Sequence, residues 1–405
     1  MLTRTAAAGA AVWVAPQIVS TPAAAAATCG FSPILLAGGG ASTGGSTGSF
    51  VTTRGSTWWN ANANGGANWT LLVNDNTPPP GAGAPPSSFV PTLLAGGGDA
   101  SGAASAFVAS NGTGTWYRSV NGGANWTAIA SLSGFLGTLL AGFGNVGGSS
   151  GDADFVTYGP LSGWRFSRDA GASWAAPATI PIPATGGSFA PTLLAGGGDY
   201  QAADPRYGDF VAVEPTRATV SERVWYSIDS GNTWAQSSAA NMNLPAITWQ
   251  LLAGGDDING SFVLYGSDSA GNSPTWRFSS DGGASWQVPT QPPNSLAGLS
   301  GFRPTLLAGS GDRDGAGPGG GDFVATDGQG VWVRSTDYGN TWTRPTTPPP
   351  VGFRPTLLAG VGDGGTTGTP PTSVNDFVAY GACQWYRSAN GGNTWSLVPA
   401  VNAPR

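Results

Sequence analysis

The sequence predicts an all-β fold, a seven-bladed β-propeller with four antiparallel strands in each blade. Three observations predict it. A phrase such as "RSTDYGNTW" at 334–342 or "RSANGGNTW" at 387–395 recurs along the chain, closing at Trp69, Trp126, Trp174, Trp234, Trp286, Trp342 and Trp395. A second phrase opens every copy, as "PTLLAGGGD" from 91 and 191 and as close variants from 33, 137, 249, 304 and 355. Between the two lies "FVT", "FVA" or "FVL", starting at Phe50, Phe107, Phe155, Phe210, Phe262, Phe323 and Phe377. The closing tryptophans stand 48 to 60 residues apart. A unit of that length, made of short strands and repeated seven times, is the pattern of a propeller.

Within one unit the strands are read in order. "TLLAG" is the first, "DFVAY" the second, "WYRS" the third, and the stretch after the closing Trp the fourth. Each is bounded by Gly, Asp, Asn or Pro, and none is long enough for a stable helix. The blades are placed at about 31–75, 88–130, 135–180, 188–238, 247–290, 302–346 and 353–400, within a propeller spanning 29–405.

Residues 1–28 read as an export signal. Arg4 supplies the positive start, Ala6 to Ala15 an apolar stretch, and Ala23 to Ala27 a small-residue cleavage region. The stretch is too short for a membrane span, and no transmembrane segment is expected. It resembles the later part of twin-arginine signals of high-GC bacteria, without the paired arginines. A secreted or cell-surface, bacterial protein is expected.

Composition narrows the chemistry. The 405 residues carry 66 Gly and 17 Trp, which fits many strands and tight turns. All basic residues are arginine, the formal charge is −6, and no basic stripe exists, so nucleic acid is not an expected partner. The chain has no histidine, which removes the commonest general base and transition-metal ligand. Any catalysis must rest on carboxylates, Tyr or Arg.

The Trp-ended phrases resemble the Asp-box (BNR) repeat of sialidase-like propellers. That repeat also occurs in xyloglucan-degrading hydrolases and in several non-enzymatic propellers. The box positions here are Asn64, Asn121, Asp169, Asp229, Asp281, Asp337 and Asn390, with Asn62 replacing the first Ser of blade one. The resemblance implies a box in the turn between strands three and four. Its Asp or Asn accepts backbone N–H groups, its Gly takes a positive φ, and its Trp locks the hairpin into the interblade core. These residues are therefore turn-formers and no catalytic residue is assigned.

Chain alternation puts the boxes and the first-to-second-strand loops on one face, and the second-to-third loops and interblade links on the other. Related hydrolases keep their active site on the second of these. There the candidate ligand-binding residues are Arg54, Glu214, Arg217, Glu222, Arg223, Arg303 and Arg354. Glu214 and Glu222 are the sole glutamates, and a solvated loop ion-paired with Arg217 and Arg223 is their expected setting. "FRP" at 302–304 and 353–355 is similar to a sialidase motif whose Arg binds a substrate carboxylate. Those enzymes also need three convergent arginines, a Tyr–Glu pair and an acidic Asp, and no such set is assignable. Trp116, Trp164, Trp276, Trp332 and Trp385 stand beside arginines and read as interblade packing or, alternatively, as sugar platforms.

On the box face, Asp199, Asp204, Asp209, Asp312, Asp314 and Asp322 lie in loops similar to the calcium loops of other propellers. Turn capping is the competing reading. No cofactor is required, and calcium is the one metal these acids suggest. The only cysteines, Cys29 and Cys383, sit in blades that ring closure makes neighbours, and a disulfide between them is expected in an exported protein. The reading favoured is a monomeric, non-catalytic propeller binding a glycan, a cell-surface component or a protein. A sialidase-like glycoside hydrolase and an assembly scaffold are the alternatives.

Overall fold

The computed structural model describes residues 31–40, 48–62, 64–73, 83, 85–98, 105–143, 153–181, 189–199, 208–214, 224–238, 247–257, 260–268, 272–311, 321–361 and 376–404. They form an all-β, seven-bladed propeller. The first strands are Leu35–Gly39, Leu93–Gly97, Leu139–Phe143, Leu193–Asp199, Thr248–Asp257, Leu306–Ser310 and Leu357–Val361. Each contacts the next in chain order, and Leu35–Gly39 also meets Leu357–Val361, so the ring closes on its innermost strands. Between blades four and five this contact becomes a short parallel ladder, Gly198 opposite Asp256 and Asp199 opposite Asp257.

One glycine per blade decides how close the inner strands come. Gly38, Gly96, Gly142, Gly196, Gly254, Gly309 and Gly360 each abut the carbonyl oxygen of the corresponding glycine in the preceding blade, and Gly38 abuts that of Gly360. A methyl group on Gly142 or Gly196 would lie only 2.6 or 2.8 Å from that oxygen, and at the other five it would lie closer still. The repeated "LLAG" is thus a close-approach sequence, with no room for a side chain. Each of these glycines pairs across to the blade's own second-strand phenylalanine, as Gly38 to Phe50 and Gly254 to Phe262. Those seven Phe side chains are fully buried and cover the bare backbone.

The expectation of four strands per blade holds for blades one, two, four and seven. In blades three, five and six the fourth strand is reduced to one bridge: Phe166 with Ala175, Phe278 with Gln287 and Arg334 with Thr343. Proline is the reason. Pro177, Pro289 and Pro345 each stand three residues after the box Trp, where a ladder would need an N–H. Blade seven delays its proline to Pro399, and the strand Ser396–Leu397 survives.

The core lies between blades rather than within them. The third-strand Trp of one blade packs on the box Trp of the next at centroid distances of 4.9 Å for Trp58 and Trp126, 4.8 Å for Trp164 and Trp234, and 4.9 Å for Trp332 and Trp395. The same pair closes the ring, Trp385 against Trp69 at 4.8 Å. Phenylalanines of the interblade links stack on these tryptophans, Phe189 on Trp164 and Phe302 on Trp276.

Replacing Gly254 by Ala forces its methyl into the Gly196 carbonyl, and overpacking of this kind costs about 2–3 kcal/mol. Gly301→Ala is the control, because a methyl there meets nothing within 4 Å, and it should change stability by less than about 0.5 kcal/mol. Urea unfolding of the two variants measures the difference.

Candidate functional site

The repeated turns come first, since an Asp or Asn stands at the same place in each of them. In blade three, Ser167 Oγ accepts from the Gly171 N–H at 3.0 Å and donates to Asp169 Oδ1 at 2.8 Å. Asp169 Oδ1 accepts from the Ser173 N–H at 2.8 Å, and Trp174 Nε1 donates to the Gly171 carbonyl at 3.0 Å. Asp229, Asp281 and Asp337 accept from Thr233, Ser285 and Thr341 in the same way, at 2.7, 2.9 and 2.8 Å. Asn121 and Asn390 make the equivalent bonds to Asn125 and Thr394 at 2.7 and 2.8 Å. In blade one the Asn68 N–H donates to Asn64 Oδ1 at 3.4 Å while Asn64 Nδ2 donates to the Asn68 carbonyl at 2.8 Å, and Ser49 donates to Asn62.

The turn needs two successive left-handed residues, not one. Gly171 has φ +79° and is preceded by Ala170 at +53°; Ser230 and Tyr338 hold the same preceding place at +60° and +65°. The second is always glycine because its face presses on the neighbouring blade. A methyl on Gly171 would touch Val108, and one on Gly283 or Gly392 would overlap Val211 or Val324. Each box therefore docks on the "FV" valine of the blade before it.

Burial pushes the Asp169 carboxyl up, but the hydrogen bonds from Ser173, Ser167 and Ala172 outweigh it and hold it below the usual carboxylate range. Its charged form is committed to the turn. The buried second-strand aspartates have a related task. Asp154 Oδ2 accepts from the Gly208 N–H and the Ser230 hydroxyl of blade four, both at 2.7 Å. Asp209 lies against Gly260 and Gly282 of blade five, and Asp322 against Gly391 of blade seven.

Of the candidate metal acids, Asp209 and Asp322 are thus buried at interblade turns. Asp199 is described only by its backbone, at the end of an inner strand. Asp204, Asp312 and Asp314 lie outside the described residues, as do residues 1–28 and Cys29. Among the described residues, no three His, Cys, Asp or Glu gather as a metal site would require.

On the opposite face, the register places Arg303 before Leu306, beside the Thr326 to Trp332 hairpin, at the far end of the blade from Asp337. Arg54, Arg303 and Arg354 are exposed on blades one, six and seven, and Arg354 donates to Gln329 Oε1 of blade six. Arg217, Glu222 and Arg223 fall outside the described residues. Glu214 corrects the expectation of a solvated loop. It is half-buried, near enough to Tyr158 that its charge adds to burial in raising the tyrosine pKa. Pairing across two blades hid this from the sequence. Tyr158 also packs on Trp164 at a centroid distance of 4.8 Å, with the two rings tilted.

Trp116, Trp164, Trp276, Trp332 and Trp385 are buried, so they are packing residues and no sugar reaches their faces. Arg165 and Arg277 donate to the Trp164 and Trp276 carbonyls of their own strands, whereas two other companion arginines serve the seams. Arg118 Nη1 donates to the Asp169 carbonyl at 3.4 Å, and Arg334 Nη1 to the Asn390 and Gly391 carbonyls at 3.2 and 3.1 Å.

A cavity lined largely by polar side chains was not anticipated. It lies on the box side of the seam between blades seven and one, has a volume of about 330 Å³, and is lined by Arg387, Asn390, Ser396, Asn402 and Asn68 among others. No motif marks it, because Asn68 and Asn402 meet only when the ring closes. The Trp69 N–H donates to the Asn402 carbonyl at 2.9 Å, fixing residues 399–402 against the first blade.

No protein-family model matches the chain, and no curated protein matches it. Among solved structures, an ancestral GH74 enzyme is similar to it at 12% identity and a TM-score of 0.50, over 86% of this chain and 44% of its own. YCF48 from Cyanidioschyzon merolae is 16% identical over 74% of this chain and 82% of its own, with a TM-score of 0.42. The Aleuria aurantia lectin, a six-bladed propeller with a fucose-recognition site, is 12% identical over 91% and 96%, with a TM-score of 0.43. At these identities the likeness is one of fold, and fold alone does not assign activity.

Asp169→Asn should leave stability within about 0.5 kcal/mol at neutral pH, because Asn121 and Asn390 already support the same turn. Asp169→Ala should cost about 1–2 kcal/mol by stranding the Ser173 N–H and the Ser167 hydroxyl. The folded pKa is lowered, so the charge-dependent part is full above the ordinary carboxylate pKa and is lost as pH falls through the folded value. Acid titration of stability should show that loss in the wild type and not in the Asn variant.

Proposed function

We propose that this chain is a secreted, non-catalytic propeller that binds a glycan on a cell surface or on another protein, and that its seven repeated turns are Asp boxes of the BNR kind. The observation that carries the reading is where the carboxylates are. Asp169, Asp229, Asp281 and Asp337 hold the turns, and Asp154 holds the turn of the next blade. Asp268 and Asp327 accept backbone N–H groups of their own loops, from Asn272 at 2.7 Å and from Gln329 and Val331 at 2.7 and 3.0 Å. A glycosidase needs two carboxyls facing one cleft, roughly 5–9.5 Å apart. Residues committed to turns favour binding over hydrolysis.

The fold's neighbours include a fucose-binding lectin, a GH74 enzyme and YCF48, one structure of which is bound to a D1 peptide. They frame the alternatives without choosing among them. No helix among the described residues is long and apolar enough to cross a membrane. The binding reading requires no metal; calcium enters the proposal only at the loops carrying Asp204, Asp312 and Asp314.

A glycan array run beside fluorogenic sialoside and xyloglucan assays tests the function. Retention of defined glycans with no turnover is the expected result, and hydrolysis that a carboxylate variant lowers by about 10²-fold or more would replace binding with catalysis.

The disulfide between Cys29 and Cys383 is part of the same proposal. Tyr380 Oη donates to the Phe31 carbonyl at 3.2 Å, which brings the chain just after Cys29 beside the hairpin that carries Cys383. Such a bond would tie blade one to blade seven, where the packing is otherwise noncovalent. Peptide mapping of the mature protein without reductant should recover the two cysteines as one linked pair; two free thiols would refute the clasp.

A further inference from the structure

We propose that the cavity between blades seven and one binds one uncharged, pyranose-sized polyhydroxylated group, the terminal sugar of a glycan. The inference rests on the glycan-binding reading and gives it a site, on the box side rather than on the face of Arg303 and Arg354.

One departure from the repeat opens this seam. Arg387 stands opposite Val378 in its sheet, as Arg334 stands opposite Val324 and Arg118 opposite Val108. Arg118 and Arg334 donate to carbonyls of the following blade's turn. Arg387 instead points Nη2 toward its own blade's Asp376, 4.0 Å from Oδ1. The turn it faces is that of blade one, where Asn64 accepts from the Asn68 N–H at 3.4 Å and donates to the Asn68 carbonyl at 2.8 Å. The arginine drawn back leaves open the space that the other two arginines bridge.

The walls fit a sugar. The side chains of Asn68, Ser396 and Asn402 border the cavity and make no hydrogen bond among the described residues. Amides and a hydroxyl both donate and accept, as neighbouring sugar hydroxyls do. Asn390 and Thr394 are bonded to one another at 2.8 Å and act as a fixed edge. Val398 and Pro399 supply an apolar wall for the ring's C–H face. Ligand pockets start at about 300 Å³, so this cavity suits one ring and not an oligosaccharide. Asp376 already offsets the charge of Arg387, which selects against a carboxylated sugar.

The experiment is a glycan array followed by titration of the methyl pyranoside of each retained terminal sugar, using the full chain and two variants. Asn68→Ala keeps the turn, whose bond comes from the backbone N–H, and should weaken binding about tenfold. Ser396→Trp fills the cavity from an exposed position and should abolish binding, with the melting temperature of both variants unchanged. Glycan binding that survives both substitutions at wild-type affinity overturns this site and leaves the glycan reading standing. A wild-type chain that retains no glycan overturns both. Retention of carboxylated sugars only overturns the ligand class.

Discussion

The structure depends on backbone meeting backbone at the centre of the ring. Seven glycines of the inner strands stand against seven carbonyl oxygens, each from the blade before. A Cβ at any of them would push two blades apart, and a ring transmits that displacement to every other seam. Because the contact leaves no side chain at these positions of the inner strand, something else must cover the exposed backbone. The second-strand phenylalanine does so, fully buried and paired with its own glycine. The sequence "LLAG" followed by "FV" therefore states one physical arrangement twice, once as an empty place and once as its filling.

The same economy governs the outer part of each blade. A box turn closes its own hairpin, but its glycine presses on the preceding blade's valine and its tryptophan on the preceding blade's tryptophan. Aromatic pairs of this kind contribute about 0.5–1.5 kcal/mol each beyond the area they bury. A blade is consequently incomplete until its neighbour is in place. Asp154 makes the dependence explicit, because its carboxylate accepts from Gly208 and Ser230 of the next blade. A carboxylate with such a task cannot change protonation during a reaction without loosening a seam.

Much of this was legible in the sequence, and the misses have physical causes. Blade number and strand order follow from a repeat that every blade keeps. The shortened fourth strands were also written there, in Pro177, Pro289 and Pro345, but a repeat-based reading averages over such differences. Two left-handed residues in the turn were hidden because Ala170, Ser230 and Tyr338 occupy one of them at positive φ. Those residues tolerate the place because the glycine beside them, not they, meets the neighbouring valine. The Tyr158–Glu214 proximity and the seam cavity were invisible for a different reason. Both are made by residues from separate blades, and no local pattern records what ring closure brings together.

Selection on a repeat of this kind leaves little freedom for chemistry at the repeated positions. A side chain used in seven equivalent contacts is fixed by packing, and function must sit where the copies differ. On the face away from the boxes, the residue after the link phenylalanine is Val90, Leu136 and Ala190 in three blades but Arg303 and Arg354 in two others. That place is free of the packing rules and varies accordingly. The seam between blades seven and one is the second place of this kind. There residues 399–402 take the position that an interblade link takes elsewhere, as Thr347 does for Trp395. Arg387 departs from its equivalents Arg118 and Arg334 at this same seam, turned toward its own blade's Asp376. A seam whose arginine leaves the next blade's turn unbridged is where a site carved from a repeat would sit.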